Sequence, residues 1–232
     1  MPKVREIFYS IQGEGIHKEI PTVFVRLSSC NLLSPCSWCD TPYARGTEGE
    51  DLTLDEITAK VSTLAPYYDQ WVCITGGEPL ANPGQLRELV KRLKEGKYRT
   101  EVFTNGSVPK PLWWTLIDSW VVDIKCPGSG ICGVSLVDNW FSIRPDDQIK
   151  FVVQDEADLN FVRSVLNMRA TLPGRPIVLI SPMIPLGDSA GIINNLWIQR
   201  VVEFVKELNK TYRPVRLSLQ LHKVIYGDKV GV

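Results

Sequence analysis

Cys30, Cys36 and Cys39 fall within ten residues, in the stretch SSCNLLSPCSWCDTPY. Thiolates this close together are soft donors for zinc, iron or an iron–sulfur cluster. Three is one short of the four donors used by a structural zinc site or a fully ligated cubane. On the residues alone, three readings stand side by side. One is a [4Fe–4S] cluster with an open iron, which can bind a reacting group. Another is a zinc site whose fourth ligand comes from His17, His222, Cys73, Cys126 or Cys132, none of them at zinc-finger spacing. The third is a set of structural thiols, which the polar loop between Pro35 and Pro42 does not favour.

Further polar residues fall where predicted strands end: Thr75-Gly76-Gly77-Glu78-Pro79, Thr104-Asn105-Gly106, Asp123-Ile124-Lys125, Gln154, Ser181-Pro182 and Gln220-Leu221-His222-Lys223. Arg26 lies inside an apolar strand, where a charge is costly unless paired. The elements that carry these groups alternate. Short β-branched or aromatic runs predict strands over 22–27, 71–75, 100–104, 120–124, 149–153, 177–181 and 215–219. Thr53-Leu54-Asp55-Glu56 reads as a capping box opening a helix to about residue 64. Asn82-Pro83 opens another to about 95, and Asp155 caps a third to about 168. Residues 189–209 predict the clearest helix. Ile193, Leu196, Trp197, Val201, Phe204, Val205 and Leu208 form its apolar stripe, and Asn195, Gln199, Glu203, Lys206 and Glu207 its wet face. Alternating strand and helix implies parallel strands joined by right-handed crossovers. The fold expected is α/β, a partial TIM-like barrel of about six parallel strands with surrounding helices. Such folds carry chemistry at the carboxyl ends of their strands. No G-x-G-x-x-G turn marks a nucleotide switch point.

The chain has 232 residues, with Lys plus Arg at 26 and Asp plus Glu at 26. Zero net charge speaks against a broad grip on nucleic acid. No apolar run is long enough to span a membrane, and MPKVREIFYS lacks a signal-peptide core. The cytoplasm is the expected compartment, where six cysteines rarely form a disulfide framework.

The spacing Cys30-x5-Cys36-x2-Cys39 and the Gly77-Glu78-Pro79 segment resemble the C-x3-C-x2-C and GGEP motifs of radical S-adenosylmethionine enzymes. With Ser10-Ile11-Gln12-Gly13-Glu14-Gly15, Thr22 to Leu27, Trp38-Cys39-Asp40-Thr41 and Gln220-Leu221-His222-Lys223, the chain resembles the 7-carboxy-7-deazaguanine synthase family from end to end. The resemblance implies a single radical S-adenosylmethionine domain over 1–232, its cluster loop at 28–50. Cys30, Cys36 and Cys39 would hold the [4Fe–4S] cluster. Trp38, Cys39, Asp40, Gly77, Glu78, Asp123 and Lys125 would meet S-adenosylmethionine. Ile11, Gln12, Gly13, Glu14, Arg26 and Thr75 would meet a carboxylated tetrahydropterin, with Arg26 on its carboxylate. Thr41 would ligate Mg²⁺. A one-electron donor such as flavodoxin or ferredoxin and a homodimer are implied too. Two rivals remain: a glycyl-radical activating enzyme, against which the SIQGEG and QLHK segments speak, and a non-catalytic zinc-binding module. The chain departs from the family in three ways, one of them a tail after Lys223 unlike the family's. Five residues, Asn31 to Pro35, separate the first two cysteines where three are usual, and Ser29 stands where glycine is common. Cys73 reads as a core thiol, and Cys126 and Cys132 as loop thiols open to oxidation.

Overall fold

A computed structural model describes residues 1–169, 175–185, 195–212, 214–227 and 229–231. Nine strands form one sheet in the order β3-β1-β2-β4-β5-β6-β7-β8-β9. They are β1 (Lys3–Ile11), β2 (Pro21–Leu27), β3 (Glu50–Asp51), β4 (Trp71–Gly76), β5 (Arg99–Thr104), β6 (Ser119–Asp123), β7 (Gln148–Val153), β8 (Ile177–Pro182) and β9 (Val215–Leu217). The run from β2 to β9 is parallel. β1 is antiparallel to β2, and β3 to β1. The sheet stays open, as expected of a partial barrel.

Period-two alternation gives the sheet two different faces. Val23, Val25, Val72, Ile74, Val102, Val122, Ile149 and Phe151 belong to the buried apolar core. Their neighbours Phe24, Arg26, Cys73, Thr75, Phe103, Asp123, Lys150 and Val152 line a cavity on the other face. The apolar face is covered by helices. α1 (Leu54–Leu64) opens on the predicted capping box, in which Thr53 Oγ1 accepts from the Glu56 N–H at 3.2 Å and Glu56 accepts from the Thr53 N–H at 2.7 Å. α2 (Pro83–Glu95) starts at the Asn82 cap and buries Leu86, Leu89, Val90 and Leu93. α3 (Val137–Trp140) brings Trp140 against Trp120, ring centroids 5.2 Å apart. α4 (Glu156–Arg169) and α5 (Leu196–Leu208) cover the same face, whereas α6 (Leu221–Tyr226) brings His222 and Lys223 to the cavity.

Three sequence expectations need correction. The helix predicted over 189–209 starts at Leu196, capped by Asn195 Oδ1, which accepts from the N–H groups of Trp197 and Ile198. Asn195 is therefore a cap, and Leu196 just after it is 80 % exposed and outside the apolar stripe. Residues 189–194, Ile193 among them, lie outside the described residues. β1 went unpredicted, since Lys3, Arg5 and Glu6 break its alternation. Hairpin pairing to β2 makes it a strand, with a bulge between Val4 and Glu6. Cys126 is buried, so among the two loop thiols only Cys132 is exposed.

Candidate active site

The cysteine loop leaves the end of β2 and is held by backbone contacts. Ser29 N–H donates to Ala44 O and Cys30 N–H to Arg45 O, both at 3.0 Å. Glu78 N–H donates to Ser29 O at 2.9 Å and Gly77 N–H to Leu27 O at 3.0 Å. A Cβ on Gly77 would stand 2.1 Å from Ser29 O and 2.7 Å from Cys30 N, so only glycine lets the two loops touch. Ser29 itself has φ of 77°, in the left-handed region that favours glycine.

Cys30, Cys36 and Cys39 are free and half-buried. Burial pushes the Cys36 thiol up, the Lys125 charge opposes this, and Asp123 and the other two thiols add to it. Three thiolates on one tetrahedral zinc would sit about 3.8 Å apart, given Zn–S bonds of about 2.3 Å. Among the described residues, the three donors found within 4.8 Å of one another are Glu14, Asp40 and His222, not the cysteines. The three sulfurs are thus not gathered as one zinc ion would need, and three soft thiols on one loop suit a [4Fe–4S] cluster with one open iron better than a zinc ion.

All the site residues inferred from the sequence line one cavity of about 290 Å³. Ile11, Gln12, Gly13 and Glu14 enter from the loop after β1, and Arg26 and Thr75 from adjacent strands. Trp38, Asp40 and Thr41 come from the cysteine loop, Gly77 and Glu78 from the loop after β4, and Asp123 and Lys125 from the end of β6. Of the strand ends listed from sequence, Gln154, Ser181 and Pro182 do not line it.

Glu14 is the electrostatic centre of the floor. Its carboxylate pairs with Lys150 Nζ and accepts from Gln220 Nε2 at 2.8 Å. Gln220 Nε2 also donates to Asp40 Oδ2 at 2.7 Å, and Lys223 pairs with Asp40 at 2.6 Å. Burial alone would raise Glu14, but Lys150 and the hydrogen bonds hold it down, at about 2 against the usual 4.5. A group with a depressed folded pKa adds stability above its unfolded value and loses it as pH falls through the folded one. Glu14 should therefore contribute on the order of 3 kcal/mol above pH 4.5, lost between about 4.5 and 2. Urea unfolding of the metal-free chain across that window should fall more steeply for the wild type than for Glu14→Gln. Equal slopes would refute the assignment.

His222 lies beside this network. Burial pushes its imidazole down, against the pull of Glu14 and Asp40, which leaves it neutral near pH 7. A Cβ on Gly13 would stand 2.4 Å from His222 Nδ1 and 2.9 Å from its N. Gly13→Ala should thus part the loop after β1 from α6, and lower the thermal midpoint by roughly 5 °C, as overpacking of about 2 kcal/mol would. An unchanged midpoint would show that the two segments give way freely.

Arg26 Nε donates to Glu6 Oε1 at 2.6 Å, and Tyr43 Oη donates to the same oxygen at 2.9 Å. The guanidinium lies over the Phe8 and Tyr43 rings. Glu6 thus holds one edge of the fork while the terminal nitrogens stay free for a carboxylate. Glu78 accepts from Thr104 Oγ1 and Asn105 N–H, each at 2.7 Å, and from Leu80 N–H at 2.9 Å. Burial outweighs these bonds and raises its pKa. Lys125 pairs with Asp123 at 3.1 Å. Its ammonium is held charged by Asp123, Cys36 and Cys39 in spite of burial. The Thr41 hydroxyl makes no capping bond to the turn that follows. Gln12 Nε2 donates one of its two N–H groups to the buried Glu101 at 2.9 Å. Lys150, Gln220, Lys223 and Glu101 were not singled out as site residues. Lys150 and Glu101 each carried the signal that exposed Arg26, a charge inside an apolar strand.

Residues 25–121 match the Radical SAM superfamily. The chain is 36% identical over 224 residues to a 7-carboxy-7-deazaguanine synthase of Methanospirillum hungatei, spanning 96% of this chain and 85% of that protein. It is 34% identical to one from Koribacter versatilis, over 97% and 96% of the two chains. A solved structure described as QueE from Escherichia coli has the same fold, with a TM-score of 0.68 at 20% identity over 95% and 94% of the chains. With the cysteine triad, the glycine contact and the paired floor in one cavity, these likenesses settle the lineage: the chain belongs to the 7-carboxy-7-deazaguanine synthase family of radical S-adenosylmethionine enzymes.

Proposed function

We propose that this chain catalyses the Mg²⁺-dependent ring contraction of 6-carboxy-5,6,7,8-tetrahydropterin to 7-carboxy-7-deazaguanine, with loss of ammonia, in 7-deazapurine (queuosine or archaeosine) biosynthesis. The observation that carries this reading is the meeting of the three cysteines, Glu14 and Arg26 on one cavity wall. When bound, the cluster and S-adenosylmethionine supply hydrogen-atom abstraction. Cys30, Cys36 and Cys39 hold the cluster. Gly77 and Glu78 receive the methionine end, and Trp38, Asp40, Asp123 and Lys125 face the adenosyl end. Ile11 to Glu14 and Thr75 grip the pterin. The ionised Glu14 has lone pairs left to accept from pterin N–H groups after Lys150 and Gln220 are served. Arg26 forks the substrate carboxylate. Thr41, whose hydroxyl makes no capping bond, would offer one oxygen ligand to Mg²⁺ beside substrate oxygens and waters. The free thiols suit a reducing cytoplasm. A flavodoxin- or ferredoxin-type donor supplies the electron, and the working unit is a homodimer.

The test is anaerobic turnover of the reconstituted, reduced chain with the carboxypterin, S-adenosylmethionine and Mg²⁺, read by mass spectrometry. A product of the mass of 7-carboxy-7-deazaguanine is expected. No product from a cluster shown to be reduced would overturn the reading.

A further inference from the structure

The extended stretch between Cys30 and Cys36 has little to pack against. Leu33 is fully exposed, and Ser34 and Pro35 face solvent as well. Hydrophobic burial therefore cannot fix where Cys36 stands relative to Cys30, and the added residues bring added backbone freedom. Polar contacts take over. Asn31 Nδ2 donates to Ser107 Oγ at 2.8 Å, and Asn31 Oδ1 accepts from Asn105 Nδ2 at 3.0 Å. Arg45 Nη2 donates to Leu32 O at 3.1 Å. Both partners of Asn31 come from the loop after β5.

Asn105 is buried and is itself pinned. Its Oδ1 accepts from Ser107 N–H at 2.9 Å, and its own N–H donates to Glu78 Oε2. A continuous chain of contacts thus runs from Asn31 through Asn105 to Glu78. Glu78 N–H closes the circuit by donating to Ser29 O. The first residue of the lengthened loop is tied to the carboxylate on the neighbouring loop, at both ends of the cysteine it follows.

We infer that Asn31 is a positioning residue: its amide, bridging Asn105 and Ser107, takes up the extra loop length and holds Cys30, which would ligate the cluster, in place against the Glu78 loop. The inference rests on the cluster and S-adenosylmethionine assignment above. It concerns this chain's own five-residue spacing and no residue of the shared motifs.

The test compares wild type, Asn31→Ala and Asn31→Asp as full chains reconstituted anaerobically. Aspartate keeps both contacts, because one oxygen accepts from Asn105 and the other from the Ser107 hydroxyl. Iron and sulfide are measured first, then the electron paramagnetic resonance spectrum of the reduced cluster as S-adenosylmethionine is added. Wild type without a cluster would sink the functional reading itself. With a cluster present, Asn31→Ala should need about tenfold more S-adenosylmethionine to complete the spectral change, the effect of one lost interaction of about 1.4 kcal/mol. Asn31→Asp should return close to wild type. An alanine variant that titrates like wild type overturns the inference, and so does a loss of cluster that Asn31→Asp fails to restore. Loss in alanine with recovery in aspartate supports it.

Discussion

Cys36→Ala is expected to lower the reconstituted chain from about four irons to fewer than about one, and to reduce product formation to background. Each thiolate serves one iron, and the two buried thiols make poor substitutes. Cys126 is buried against Ile124 O, and Cys73 is 1% exposed in the middle of β4, where burial and Glu101 raise its pKa strongly. Neither yields a thiolate readily. Cys36 is half-buried in a loop held by backbone hydrogen bonds, so the metal-free variant should melt within about 2 °C of wild type. This separates loss of ligand from loss of fold. Iron content and mass-spectrometric product on the same sample check it, and a variant that keeps its iron and turns over would refute the ligand assignment.

Lys150→Met should cause the largest loss of stability. Lys150 is 5% exposed on β7, and its partner Glu14 is 8% exposed. Removing the cation leaves a buried carboxylate that keeps the Gln220 hydrogen bond but has the Asp40 carboxylate within 4.8 Å. Breaking such a pair costs about 3–5 kcal/mol, which for a chain of this length lowers the thermal midpoint by roughly 10 °C. Differential scanning calorimetry of the metal-free protein reads this without any assay. Glu14→Gln in the same chain should restore much of the loss, because a neutral amide keeps the Gln220 contact and no charge is stranded. If the single variant melts within about 2 °C of wild type, Glu14 and Lys150 are not a pair of consequence.

Residues near one another in sequence announced most of this site. The cysteines, the Gly77–Glu78 turn and the Gln12–Glu14 segment each form a local pattern, and local backbone geometry follows from local residues. The strands were readable because buried parallel strands are short apolar runs. β1 was not, since its charged residues find their partners far along the chain, Glu6 with Arg26 and Tyr43 and Lys3 with Asp51. The same reason hid the floor. Lys150, Gln220 and Glu14 are separated by more than a hundred residues in places, and only the sheet brings them together. Asn195 shows the converse. Its side chain reads as wet surface in a long helix and turns out to be the cap that starts a shorter one.

An unclosed sheet has two free borders, and a free border is a template on which another copy's strand can dock and begin to aggregate. Here β9 is a short border, while β3 covers only Lys3 and Val4 of β1 and leaves Arg5 to Ile11 at the edge beyond it. β3 is the two acidic residues Glu50 and Asp51, held by Lys60 and Lys3. β9 is three residues, with Arg216 exposed at its centre. Charge sits at both borders instead, Lys3, Arg5 and Glu6 in β1 and Arg216 in β9, and charge at an edge works against a growing ribbon. The open sheet is thus guarded by the charge of its border strands more than by their shortness.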